Sequence, residues 1–166
     1  MKTAFIIIDV QNILVETGFE TEKILEKIAY LQDQARKQQI EIIYMQHIET
    51  PEALTSEDWQ LSPLLKRQAN EKVFQKRYNS MFKETGLKEY LDQQGIEQLV
   101  LCGMQTEYCV DTSVKVGFEY GYKLIIPEGV VTTFDGEDIP AETLNEFYEN
   151  IWAERFADVL DYKSIF

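Results

Sequence analysis

The sequence predicts an α/β fold of three layers, with helices on both faces of a mainly parallel central sheet. Two observations carry that prediction. Short apolar runs alternate along the chain with segments of helical periodicity. The first run, Thr3–Ile8, is apolar without alternation, as a strand covered on both faces requires. In such sheets ligands bind beyond the carboxyl ends of the strands. An aspartate, Asp9, and a glycine turn at Gly103 fall at those ends.

The remaining elements follow in order. Ile24, Leu25, Ile28, Leu31 and Ala35 recur at helical spacing after Thr21, a capping residue, and stop before Gln38 and Gln39. Residues 40–45 form a second strand. Residues 48–72, which contain Pro51, Trp59 and Pro63, form a long excursion with a short helix. A helix over 84–94 ends at Gly95, which suits the position just past a helix C-terminus. Strands over 98–101 and 122–126 flank a helix over 106–120, and Pro127 closes the second of them. Pro140 opens a helix carrying Leu144, Phe147 and Ile151, and 157–160 supply a last short strand. No repeat or linker interrupts the series, so residues 1–166 read as one domain.

Composition narrows the function. The formal net charge of -13 argues against a sequence-independent nucleic-acid surface. The apolar run that Asp9 stops is too short for a signal peptide or a membrane span, and the two cysteines show no paired spacing. These features lead us to expect a cytoplasmic protein. Cys102 and Cys109, seven residues apart, do not match zinc-site spacing, and His47 is the single histidine. A catalyst built from this chain therefore draws on Asp, Glu, Lys or Cys, or runs through His47.

Cys109 is the first candidate. The order is strand, Gly103 and then Cys109, which puts the sulfur in the first turn of a helix. There, unpaired backbone N–H groups and the helix dipole favour thiolate and could cradle an oxyanion. Taken alone, the position also suits a small core residue. Asp9 alone suits a turn or cap as well as a base whose pKa partial burial raises. Lys76 alone reads as a solvated surface lysine. Cys102, inside its strand, reads as inert core.

Together these residues resemble a known family. Ile8-Asp9-Val10-Gln11, Lys76 followed by Ser80 and Phe82, and the run from Cys102 to Thr112 are similar in order and spacing to the isochorismatase-like cysteine hydrolases. The resemblance spans essentially the whole chain and names a superfamily, not a substrate. It implies the Rossmann-like fold of that family and a catalytic triad of Asp9, Lys76 and Cys109. It further implies a cis peptide between Met104 and Gln105, aiming the Gln105 N–H at an oxyanion beside that of Cys109. Gln11 and Tyr108 are expected to face the substrate ahead of Trp59, with His47 and Tyr78 as further candidates. Nicotinamidases of the family carry an Asp-x-His…His metal site, whereas this chain reads Tyr44-Met45-Gln46-His47-Ile48-Glu49. No metal and no cofactor are therefore expected. The expected partners are a small-molecule substrate and further copies of the chain in a dimer or tetramer, with apolar surface at 48–72, Trp152, Phe156, Tyr162 and Phe166.

Metal-independent hydrolysis of a C–N bond is the leading expectation. Vinyl-ether hydrolysis of the isochorismatase type is the nearest alternative; it would need a locally basic mouth for a dicarboxylate, from Lys72, Lys76 and Arg77. A thiol redox protein and a catalytically idle interaction module are the others.

Overall fold

The computed structural model describes residues 1–166. Seven strands alternate with helices: β1 (Thr3–Ile8), α1 (Asn12–Thr17), α2 (Thr21–Lys37), β2 (Glu41–His47), β3 (Lys72–Lys76), α3 (Leu87–Gln94), β4 (Gln98–Met104), α4 (Asp111–Glu119), β5 (Lys123–Pro127), β6 (Val131–Thr132), α5 (Ala141–Trp152) and β7 (Asp158–Leu160). The sheet runs in the order β3-β2-β1-β4-β5-β7 with β6 beside β4, and every pairing is parallel. Strand order reverses between β1 and β4, which makes their carboxyl ends the expected ligand crevice. No helix is long and apolar enough to cross a membrane.

Alternation along the buried strands divides the core. Phe5 and Ile7 point to one face, where they meet Ile24, Ile28, Leu31 and Ala35 of α2. Ala4, Ile6 and Ile8 point to the other, against Leu87 and Leu91 of α3, Val114 of α4 and Trp152 of α5. The three isoleucines before Asp9 are wholly buried, each stabilising the fold by about 1.5–3 kcal/mol. That burial offsets the several kcal/mol that taking charged groups out of water costs at the strand ends.

Several elements differ from the sequence expectation, each for a physical reason. The 84–94 helix begins only at Leu87, because Gly86 adopts a left-handed conformation and Thr85 Oγ1 accepts from the Leu87 N–H. The excursion between β2 and β3 holds three short 3-10 turns, at Pro51–Leu54, Glu57–Trp59 and Pro63–Leu65, where one short helix was expected. The C-terminal aromatics do not form the free apolar surface anticipated. Trp152 is fully buried and donates to Asp111 Oδ1 at 2.9 Å, while Phe166 packs edge-on against Phe5.

Candidate active site

Strand register assembles the site. Ile8 of β1 pairs with Met45 of β2 and with Gly103 of β4, and His47 of β2 pairs with Lys76 of β3. Four strands thus deliver Asp9, His47, Lys76 and the Met104–Gln105 turn to one edge of the sheet. Gly103 is required for this approach. Its φ is +120°, and a Cβ there would meet the Ile8 carbonyl oxygen at 2.1 Å. Asp9 leaves β1 with φ +50°, a left-handed turn that aspartate tolerates, and its N–H donates to Met45 O at 3.1 Å.

Lys76 lies at the centre. The rest of β3 is largely exposed, but this last residue is 1% exposed, so the surface-lysine reading does not hold. Its Nζ is 2.8 Å from Asp9 Oδ2, 3.0 Å from His47 Nδ1, 3.0 Å from Tyr78 O and 3.1 Å from Cys109 Sγ. An ammonium group has three protons, so four acceptors compete for them. Because an ammonium only donates, His47 Nδ1 accepts here and the imidazole proton belongs on Nε2. Nε2 faces Glu49 Oε1 at 3.3 Å.

Asp9 is equally buried, and its Oδ1 has no partner in the protein. Burial raises its pKa above the ordinary carboxylate value, against the pull of Lys76. Cys109 sits in a single π-helical turn, Thr106–Val110, that precedes α4, not in the first α-helical turn. The expectation of a lowered thiol pKa is corrected by this setting. Burial, reinforced by the nearby Asp9 carboxylate, pushes the Cys109 thiol up to about 12, and Lys76 opposes both only in part. At rest the sulfur therefore holds its proton at neutral pH.

The Met104–Gln105 peptide is cis, as the resemblance implies. The Gln105 N–H donates to no group of the protein, while its carbonyl accepts from the N–H groups of Tyr108 and Val110, each at 3.2 Å.

A cavity of about 260 Å³ opens above these groups. Buried Asp9 and Cys109 lie deepest, Trp59 and Leu14 line it higher up, and the exposed side chains of Tyr108 and Glu49 reach its rim. The expected site residues thus fall into three sets. Asp9, Lys76, Cys109 and His47 converge, and Gln105 and Tyr108 line the same cavity. Tyr78 lies elsewhere: its ring lines the neighbouring cavity with Arg77 and Lys83, and only its backbone carbonyl reaches Lys76. Gln11 also lies elsewhere, fully buried, with its amide committed to the backbone. Its Nε2 donates to His47 O (3.0 Å) and Trp59 O (2.7 Å), and its Oε1 accepts from His47 N (2.9 Å). It ties the excursion to β2, so Trp59, ranked below it, is the residue that lines the cavity. Asn79, whose Oδ1 is 3.8 Å from Cys109 Sγ, and Leu14 were not foreseen.

Asp9, His47 and Cys109 bring ligating atoms within 4.8 Å of one another, a set that could hold a metal ion. All three atoms, however, lie 2.8–3.1 Å from Lys76 Nζ, which already places a cation at their common focus. Cys102 cannot partner Cys109 without unfolding, because it packs beneath α2 on the opposite face of the sheet.

Comparison with known proteins agrees with this architecture. The isochorismatase domain family matches residues 3–163. The chain is 28% identical over 144 residues to a streptothricin hydrolase of Streptomyces noursei, covering 83% of this chain and 51% of that protein. It therefore spans about half the length of that relative. It is 28% identical over 155 residues to the isochorismatase family protein YddQ of Bacillus subtilis, covering 86% of each. The crystal structure of an isochorismatase from Pseudomonas putida superposes with a TM-score of 0.91 at 29% identity, covering 99% of this chain and 90% of that one. The chain belongs to the isochorismatase family.

Proposed function

We propose that this protein is a metal-independent cysteine hydrolase that cleaves a C–N bond of a small amide-type substrate through a covalent intermediate on Cys109. The observation that carries the reading is the buried Lys76 ammonium within hydrogen-bonding distance of both a carboxylate and a thiol, beneath a cavity. The name of the Streptomyces noursei relative, a hydrolase, supports the same class of chemistry.

The groups present divide the work. Asp9, whose raised pKa suits a base, takes the thiol proton as sulfur adds to the substrate carbonyl carbon. Lys76 stays charged beside the sulfur and compensates the negative charge that passes to the carbonyl oxygen. The unpartnered Gln105 N–H, with that of Cys109, donates to this oxyanion. Collapse of the adduct breaks the C–N bond, and Asp9 returns its proton to the leaving nitrogen. Asp9 then draws a proton from the water that attacks the thioester carbon and returns it to the departing sulfur as the C–S bond breaks, which releases the acid and restores the free thiol and the Asp9 carboxylate. Every transferred proton has a named origin and acceptor, and no histidine base is needed.

The test is a screen of small amides, ureas and lactams against the wild type and Cys109→Ala. The reading expects a hydrolysed compound whose turnover Cys109→Ala abolishes. Turnover that survives the substitution contradicts covalent catalysis on Cys109. Peroxide consumption with disulfide formation would favour the redox alternative.

A further inference from the structure

Building on that reading, we infer that the site selects substrates that carry a positive charge close to the scissile carbonyl. Charge at the mouth decides the matter. Of the three cations that could have made it basic, Lys76 is buried and engaged by four acceptors. Arg77 lines the neighbouring cavity, and Lys72, at the opposite, amino-terminal end of β3, lies over the Tyr90 ring at 5.3 Å. No lysine or arginine lines the cavity above Cys109.

The ionisable group at the rim is instead Glu49. Its side chain is 69% exposed, and its carboxylate is one imidazole width from the catalytic cluster through the His47 contact. Two aromatic residues line the same cavity: Trp59, whose ring centroid is 6.3 Å from that of His47, and Tyr108, 53% exposed. A carboxylate with electron-rich rings around a small cavity is the arrangement that holds an ammonium or amidinium group. An anionic substrate meets Glu49 at the rim and Asp9 below, with the net charge of -13 behind them. The substrate class is thus an amide, urea or lactam bearing a protonated amine or amidine on its acyl side. Glu49 and Trp59 bind that cation while Cys109 faces the carbonyl.

Three methanethiosulfonates of similar size, with trimethylammonium, uncharged and sulfonate tails, test this on the thiol itself. Each forms a mixed disulfide with Cys109 and releases methanesulfinate, so the measurement does not depend on turnover. Cys102 is fully buried, and Cys109→Ala supplies the blank. The expected result is that the cationic reagent reacts at least about tenfold faster than the anionic one at low salt. Glu49→Gln should lower that ratio several-fold, whereas Glu89→Gln, at an exposed position of α3 outside the cavity, should leave it unchanged. Equal rates for the three reagents, or equal ratios in Glu49→Gln and Glu89→Gln, would overturn the inference. Loss of turnover chemistry at Cys109 would instead overturn the hydrolase reading and leave these rates untouched.

Discussion

Lys76 Nζ lies 3.1 Å from Cys109 Sγ, yet that thiol is a weaker acid than an ordinary one, with a pKa pushed up to about 12. Burial and the Asp9 carboxylate together outweigh the ammonium. On the mechanism proposed above, the site stores a protonated nucleophile beside its base and its cation, and releases the proton only as the sulfur attacks.

Opposite effects of the two charged neighbours follow. Asp9→Asn removes the carboxylate that helps hold the proton on sulfur, so the thiol pKa falls and iodoacetamide labels Cys109 faster at pH 8. Turnover is lost all the same, by about 10³-fold or more, because the base has gone. Lys76→Met raises the thiol pKa further and slows labelling. Rates of alkylation across pH 7–11 for the three proteins check the order.

The pH profile tests Asp9 separately. Its carboxyl is raised above the ordinary value and must be ionised to accept the proton. Activity is therefore lost as pH falls through the raised pKa, giving an acid limb of kcat/KM above the ordinary carboxylate range. No basic limb from the thiol falls within pH 7–9, because its proton is meant to be present. A profile whose acid limb lies at or below the ordinary aspartate value would contradict the role given to Asp9.

The buried pair also governs stability. Side chains of Lys76 and Asp9 are 0% and 2% exposed, so removing one strands the other charge. Lys76→Met should cost about 3–5 kcal/mol, while Asp9→Leu combined with Lys76→Met should recover most of that loss. Denaturant midpoints of the single and double variants decide this. Additive losses would show that the charges do not depend on each other.

Much of this was legible in the sequence because apolar pattern reports burial. The isoleucine run of β1 and the periodic face of α2 announce themselves, and Asp9 and Gly103 mark strand ends. What escaped notice buries little. β3 is an edge strand with Phe74 half-buried and Lys76 buried, so it carries no strand pattern, and α1 has no buried residue at all. β6 is two residues long. Gln11 and Tyr78 were misplaced because sequence gives proximity to the strand ends but not side-chain direction. Gln11 turned into the backbone and Tyr78 into the next cavity. Asn79 and Glu49 gave no signal beyond lying near Lys76 and His47 in the chain.

Gly103 shows how closely the strand ends are held. Alanine there adopts φ +120° at strain and drives its Cβ into the Ile8 carbonyl. Gly103→Ala should cost more than about 3 kcal/mol, lowering Tm by roughly 6–12 °C and uncoupling Asp9 from the Cys109 turn. Thermal unfolding monitored with the alkylation rate of Cys109 reads both effects.

The covalent step is the central claim, and trapping it is the most direct measurement. Wild-type protein mixed with a hydrolysed amide and quenched in acid within the first turnovers should gain the mass of the acyl group. That mass should localise to the peptide containing Cys109 and be absent from Cys109→Ala. Turnover by the wild type with no acyl mass at any quench time, together with comparable turnover by Cys109→Ala, would contradict the account.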